Sequence, residues 1–210
     1  MLPLAGKPLL AWTVEAALGS KYVDVTCVST DDPDIAASAK ASGAEVPFFR
    51  PASLATDTAG SAEVLLHAID NYRAAGNDFH YAILLQPTSP LRISADIDNA
   101  LELCVEKEAK SVTSLCEMDH SPLWANTLPP DHSMIGFEPV DYKGMRSQDL
   151  PKYYRFNGAI YIVETDAFRA TLDFVSEISS FAYIMPRDRS LDIDERIDFS
   201  LAETLIKGIN

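Results

Sequence analysis

The segment Ala82-Ile83-Leu84-Leu85-Gln86-Pro87-Thr88-Ser89-Pro90-Leu91-Arg92 constrains the fold more than any other part of this chain. Four consecutive apolar residues read as a strand buried on both faces. The run ends at polar Gln86 and then meets Pro87 and Pro90, which a central strand does not tolerate. A strand buried on both faces belongs to a sheet covered by helices on each side. In open α/β sheets of that kind, ligands bind beyond the carboxyl ends of the strands, and Gln86 falls at such an end.

Helical and strand patterns alternate around this segment. The periodicity predicts helices over 7–18, 34–42, 61–75, 95–107, 166–172 and 195–206, and strands over 23–28, 45–48, 81–86, 111–117, 158–163 and 181–185. Pro8 suits the first turn of the first helix, and Gly19, Gly43 and Gly76 suit helix stops. Ser94 is the expected cap of the 95–107 helix, with Asp96 and Asp98 near its positive end. This alternation predicts one α/β domain over 1–210, with a mostly parallel sheet and helices on both faces. The pattern opens on a helix, so a first strand and its loop are expected upstream of Met1. From Met118 to Pro151 the regularity lapses, and the stretch holds five prolines. A loop this long is unusual inside a compact domain. Residues 118–151 are therefore expected to form an inserted arm that buries Trp124, Met134 and Phe137 against a partner subunit.

The formal net charge of -14 argues against a nucleic-acid-binding surface. An anionic substrate would need local Arg or Lys, a helix N-terminus or a bound cation. No apolar run approaches the roughly 20 residues that cross a membrane, and no secretory signal is read at the start. Cys27, Cys104 and Cys116 are scattered through apolar segments and are expected to be free thiols in a reducing, cytoplasmic setting.

Several short constellations carry chemistry. Asp192-Ile193-Asp194 places two carboxylates at a spacing of two, on one side of an extended segment, which suits Mg²⁺. The alternative is that Asp194 caps the helix beginning at Glu195 while Asp192 is solvated. Arg50-Pro51 and the polar loop from Leu54 to Ser61 lead into a helix N-terminus, where small residues allow close approach and free N–H groups meet an acceptor. An ordinary loop with a serine cap is the competing reading. Asn157, beside Gly158 and just before an apolar strand, either orients a hydroxyl of a ligand or finishes a turn. Arg146, Lys152 and Arg155 either meet a carboxylate or form a solvated face.

Together these pieces resemble the acylneuraminate cytidylyltransferases. The matching segments are Gly6-Lys7-Pro8-Leu9, Val28-Ser29-Thr30-Asp31, Gly43 to Phe48, Arg50-Pro51, Asp57-Thr58, Leu85 to Arg92, His120 to Trp124, Gln148 to Pro151, Asn157 to Tyr161, and Asp192-Ile193-Asp194. The resemblance implies a Rossmann-like three-layer α/β domain in which 118–151 is a dimerisation arm that also closes the partner's sugar site. It implies transfer of CMP from CTP to the anomeric hydroxyl of N-acetylneuraminic acid, with release of pyrophosphate and a requirement for Mg²⁺. By position, Arg50, Ala59 and Ser61 would hold the cytosine end. Gln86, Asn157 and Tyr161 would face the nine-carbon 2-keto sugar acid, and Asp192 and Asp194 would bind the metal. The catalytic set would be Asp192, Asp194, Gln86 and Asn157. Relatives often carry an Arg immediately before Gln148; here Ser147 stands there and Arg146 is the candidate substitute for binding the sugar carboxylate. Relatives also carry a first strand and an A-R-x-G-S-K loop that grips the triphosphate ahead of Gly6. The 210 residues alone are therefore expected to fold and dimerise but to turn CTP over poorly. Two rivals remain: a cytidylyltransferase for legionaminic or pseudaminic acid, and a nucleotide- or sugar-binding homologue without catalysis.

Overall fold

In the computed structural model, residues 3–56, 58–137 and 140–209 are described. Ala5 and Gly6 both adopt left-handed backbone, with φ of 47° and 89°. Two such residues in succession close a tight hairpin, and here they pair β1 (Pro3–Leu4) with β2 (Lys7–Pro8). That hairpin removes Lys7 and Pro8 from the expected first helix, so α1 runs Leu9–Leu18. The hairpin is anchored by Leu4, fully buried among Leu91, Ala202 and Ile206, and by the Trp12 indole N–H, which donates to the Leu4 carbonyl at 3.1 Å.

Helix α2 (Pro33–Ala41) opens on Asp32, whose carboxylate accepts from the N–H groups of Asp34 and Ile35. Then come α3 (Ser61–Ala74), β3 (Tyr81–Leu84), α4 (Ser94–Glu106), β4 (Ser111–Glu117), β5 (Tyr154–Glu164), α5 (Thr165–Thr171), β6 (Ser180–Ile184) and α6 (Arg196–Ile209). Ser94 does not cap α4, because it already lies inside the helix. Instead the Asp96 carboxylate reaches back to the Ile93 N–H at 3.1 Å.

The four long strands form one sheet in the order β3-β5-β4-β6. β5 runs antiparallel to both neighbours, whereas β4 and β6 are parallel, so β3, β4 and β6 share one direction. The core forms where α1 and α4 cover this sheet, through Ala16, Ala17, Ile97, Leu101, Ile160 and Ile162. A second cluster of Leu65, Val163 and Phe168 joins α3 and α5 to the other face. This is the helix-sheet-helix layering expected of an α/β domain.

The expected strands over 23–28 and 45–48 are reduced to a single parallel bridge between Cys27 and Glu45. Two backbone bonds hold it, Val28 N to Glu45 O at 2.9 Å and Glu45 N to Thr26 O at 2.8 Å. Between this bridge and β3 lies a cavity of about 460 Å³, walled by residues 22–29 and 77–85, α1 and α3. The cavity also explains why β3 is only half-buried along its length, where four consecutive apolar residues predict full burial. Thr26 Oγ1 is buried in that wall without a hydrogen-bond partner.

Residues 118–151 are the long connection of the β4-β5 antiparallel pair. Among the described residues only three short 3₁₀ turns interrupt them, at Pro122–Trp124, Val140–Tyr142 and Ser147–Asp149. Trp124, Leu128, Met134 and Ile135 stay exposed, Ile135 to 96%. Phe137 is half-buried. Cys27, Cys104 and Cys116 are free thiols, and burial pushes the thiols of Cys27 and Cys104 up from their ordinary range. Among the described residues no helix is long and apolar enough to cross a membrane.

Candidate active site

The turn that follows β3 is held from inside by a buried cation. Arg92 is 2% exposed. Its guanidinium donates to the carbonyls of Gln86 and Ala159 at 2.8 and 2.9 Å and to Thr13 Oγ1 at 3.2 Å. Burial pushes its pKa down to about 10, against a smaller opposite pull from the Asp96 charge. Arg92 thereby ties the end of β3 to β5 and to α1. Ser89 adds a bond from its hydroxyl to the Asn157 carbonyl at 3.1 Å.

The groups that Ser89 and Arg92 hold lie on an irregularity in β5. Thr113 of β4 pairs with Tyr161, but Leu115 pairs with Phe156, so five steps along β5 answer two along β4. The surplus forms a bulge at Asn157-Gly158-Ala159, and Gly158 supplies its left-handed residue at φ 72°. Bulges of this kind re-aim side chains next to functional sites. Here the bulge brings a bare backbone against three polar groups. A Cβ on Gly158 would lie 2.5 Å from Gln86 Oε1, 3.1 Å from Asp192 Oδ2 and 3.4 Å from Ser89 Oγ. Gln86 and Asp192, distant in sequence, therefore converge on one glycine.

Next to Gln86 is a cavity of about 210 Å³, bounded by Arg50, Thr56, Ala59, Ser61, Gln86 and the end of β3. Four of the site residues expected from the sequence, Arg50, Ala59, Ser61 and Gln86, meet in this one space. Arg50 is its only charged lining residue among the described residues. Its Nε donates to Ser29 Oγ at 3.2 Å and its Nη2 to the Ser29 carbonyl, which fixes the guanidinium at the rim. Gly60 precedes α3 without a side-chain cap, so the first N–H groups of this helix are left for an acceptor. Asp57 lies outside the described residues.

The remaining expected residues are placed as follows. Asp192 is half-buried, and its Oδ1 is a buried atom with no hydrogen-bond partner. Asp194 is exposed. It does not cap α6, because the Asp198 carboxylate accepts from the N–H groups of Asp194 and Glu195 at 3.2 and 2.8 Å. Ile193 between them sits among the apolar residues around Leu91 and Ile206. Two carboxylates without a cation partner among the described residues, one of them carrying a buried, unpartnered oxygen, fit a hard divalent cation, which takes oxygen ligands. Among the described residues no cluster of three or more potential metal ligands occurs, so water or a substrate oxygen would complete such a shell. Tyr161 is half-buried against Phe174, and burial and then the Asp192 charge push its hydroxyl pKa up. Asn157 is 1% exposed and all of its amide bonds are internal. Arg146 lies in the arm, its guanidinium paired with the Asp149 carboxylate at 2.8 and 3.2 Å.

Sequence reasoning gave no supporting role to Arg92, Ser89, Ser114, Ser190 or Gly158. The missed signal was an arginine two residues after the Pro-Thr-Ser-Pro turn, since a cation in an apolar context must be paired internally.

Residues 1–132 match the family model described as Cytidylyltransferase. The chain belongs to the cytidylyltransferase family. It is 37% identical over 97% of its length to the N-acylneuraminate cytidylyltransferase of Escherichia coli O18:K1:H7, and it spans 47% of that protein, about half its length. It is 33% identical to the CMP-N,N'-diacetyllegionaminic acid synthase of Legionella pneumophila, covering 97% of this chain and 87% of that one. Pseudaminic acid cytidylyltransferase of Campylobacter jejuni is 30% identical, covering 99% and 88%. Among solved structures, CMP:2-keto-3-deoxy-manno-octonic acid synthetase complexed with CTP superposes with a TM-score of 0.73 at 16% identity, over 100% of this chain and 91% of that one. That likeness establishes the Rossmann-like α/β fold of this chain.

Proposed function

We propose that this cytidylyltransferase transfers CMP from CTP to the anomeric hydroxyl of a nine-carbon 2-keto sugar acid, releasing pyrophosphate. The observation that supports it best is the convergence of Arg50, Ala59, Ser61 and Gln86 on one cavity, with Gly158 and Asp192 beside Gln86. Ala59 and Ser61 offer a small-residue wall and a helix N-terminus to the cytosine. Arg50 donates to a carbonyl or phosphate oxygen and supplies positive charge in a chain of formal charge -14. Gln86 sits between that space and the Asp192 carboxylate, where it can hold a sugar hydroxyl at the reacting end. Asp192 and Asp194 would hold Mg²⁺. Bound there, the ion would neutralise charge at the α-phosphate and lower the pKa of the attacking hydroxyl. Transfer of this kind rests on positioning and charge neutralisation.

N-acetylneuraminic acid ranks first as acceptor, because the similarity to the E. coli enzyme is greater than to the legionaminic and pseudaminic enzymes. Arg146, freed from Asp149, is the proposed partner of the acid's carboxylate, and Tyr161 lines the approach from β5. A homodimer is part of the proposal: the exposed apolar residues of 118–151 need a cover, and a second copy supplies one.

Equilibrium dialysis of CTP with Mg²⁺ tests the nucleotide site. The protein should bind CTP, and Arg50→Ala should weaken binding at least tenfold, as loss of a charge-assisted hydrogen bond of roughly 1.5–3 kcal/mol requires. Equal binding by both proteins, or by neither, overturns the assignment. Product analysis with the three sugar acids then ranks the acceptors.

A further inference from the structure

Asn157 carries every hydrogen bond its amide can make, and none is left for a ligand. Its Oδ1 accepts from Ser114 Oγ at 2.6 Å and from the Ala159 N–H at 3.2 Å. Its Nδ2 donates to Ser190 Oγ at 3.0 Å and lies 3.3 Å from Met185 Sδ. Ser190 is fully buried, and its hydroxyl proton is committed to the Pro186 carbonyl at 2.7 Å. Ser190 can therefore only accept from Asn157, so the pair has a fixed polarity.

Ser190 stands two residues before Asp192. On the far side of Asp192, the Ile193 N–H donates to the Thr88 carbonyl at 2.8 Å. The backbone carrying Asp192 is thus pinned at both ends, by Asn157 through Ser190 and by the turn after β3 through Thr88. Gly158, next to Asn157, sets the floor beneath Asp192 Oδ2. Asp192 Oδ1 has no hydrogen bond of its own to hold it in the described structure. Its direction depends on the backbone, and that is what Asn157 fixes.

We infer that Asn157 is a positioning residue: through Ser190 it aims the Asp192 carboxylate at the metal, and it does not contact the sugar acid. This rests on the reading of Asp192 as a metal ligand and refines the place given to Asn157 above. The bulge explains how one amide does this. It turns Asn157 inward to meet Ser114 of β4 and Ser190 of the loop before α6, so two separate elements are registered by a single side chain. Aspartate at 157 would fail, because an ionised carboxylate would face the Ser190 lone pairs with no proton between them.

Mn²⁺ alone, followed by water-proton relaxation enhancement, is the probe. Ser190→Ala removes the acceptor, leaves Asn157 in place and is a small change. It should weaken Mn²⁺ binding 10–100-fold, the usual cost of losing an outer-shell partner. Asn157→Asp should do the same. In turnover, both variants should raise the Mg²⁺ needed for half-maximal rate and leave the KM for the sugar acid unchanged. Circular dichroism melts confirm that each variant folds. Ser190→Ala that binds Mn²⁺ as the unsubstituted protein does overturns the inference. So does Asn157→Asp that raises the sugar KM with an unchanged Mg²⁺ requirement. Failure of the metal reading has a different signature: Asp192→Asn would leave Mn²⁺ binding intact, and the inference would fall with it.

Discussion

Gly158→Ala separates the two demands that the β5 bulge makes on its central residue. The first is conformational: at φ 72° an alanine is in the left-handed region, which costs roughly 1–2 kcal/mol, less what the stiffer unfolded chain returns. The second is steric. The new Cβ would stand 2.5 Å from Gln86 Oε1, which must withdraw by about 0.9 Å to reach an ordinary 3.4 Å contact. Gln86 ends in a flexible amide, so this withdrawal costs the fold little. For the site it is large, since a misplacement of about 1 Å can cost roughly 100-fold in rate. Gly76→Ala isolates the first demand, because Gly76 has φ 87° and nothing within 4 Å of its would-be Cβ. Both variants should lose about 1 kcal/mol, read as a fall of about 0.5 M in urea midpoint at an m-value near 2 kcal/mol/M. Only Gly158→Ala should also lose CMP transfer, by about 100-fold, in pyrophosphate-release assays scaled to the unsubstituted protein. Gly158→Ala that retains the rate of Gly76→Ala would show that Gln86 does not act from its present position.

Two further outcomes follow from other parts of the molecule. Asp96 is fully buried and accepts from the Nε and Nη2 of Arg189, each at 2.9 Å, and from the Tyr183 hydroxyl at 3.1 Å. Asp96→Ala should destabilise by about 2–3 kcal/mol in urea titration, below the usual range for a broken buried pair because Arg189 can turn toward water; a midpoint unchanged from the parent would refute that pairing as structural. Replacing Met134 and Ile135 together by Ser should convert the proposed dimer to monomer in sedimentation velocity at micromolar concentration, and a parent that is itself monomeric there removes the arm's assigned role.

The sequence made the helices and the long strands legible because their signals are local: apolar periodicity, Asp32 before α2 and the glycines after α1, α2 and α3. The resemblance assigns Arg50, Ala59 and Ser61 to the cytosine end and Gln86 to the sugar acid, and the fold brings all four around one cavity. The hairpin at Ala5-Gly6 escaped, because an alanine at positive φ leaves no mark in composition. The bulge escaped for a different reason. Its surplus residues are defined only against β4, and no property of β5 alone reveals a register. Asn157 was found by motif but its neighbours were not, since Ser114 and Ser190 are far away in sequence and ordinary in type. Arg146 reads as a free charge in sequence and is paired in space by a residue three positions on.

The cavity beside β3 has a consequence for the protein in solution. Among the described residues β3 is laddered on one edge only, and Tyr81-Ala82-Ile83-Leu84-Leu85 carries neither a charge nor a proline to discourage pairing. Such an edge is a template for the backbone of another molecule. No residue in the strand serves as its gatekeeper, so the restraint comes from the net charge of -14, which keeps like copies apart. That restraint is electrostatic and has a range. It reaches about 30 Å in 0.01 M salt but only about 3 Å at 1 M. Raising ionic strength therefore withdraws the protection while leaving the edge unchanged, and the colloidal stability of this chain is a function of salt.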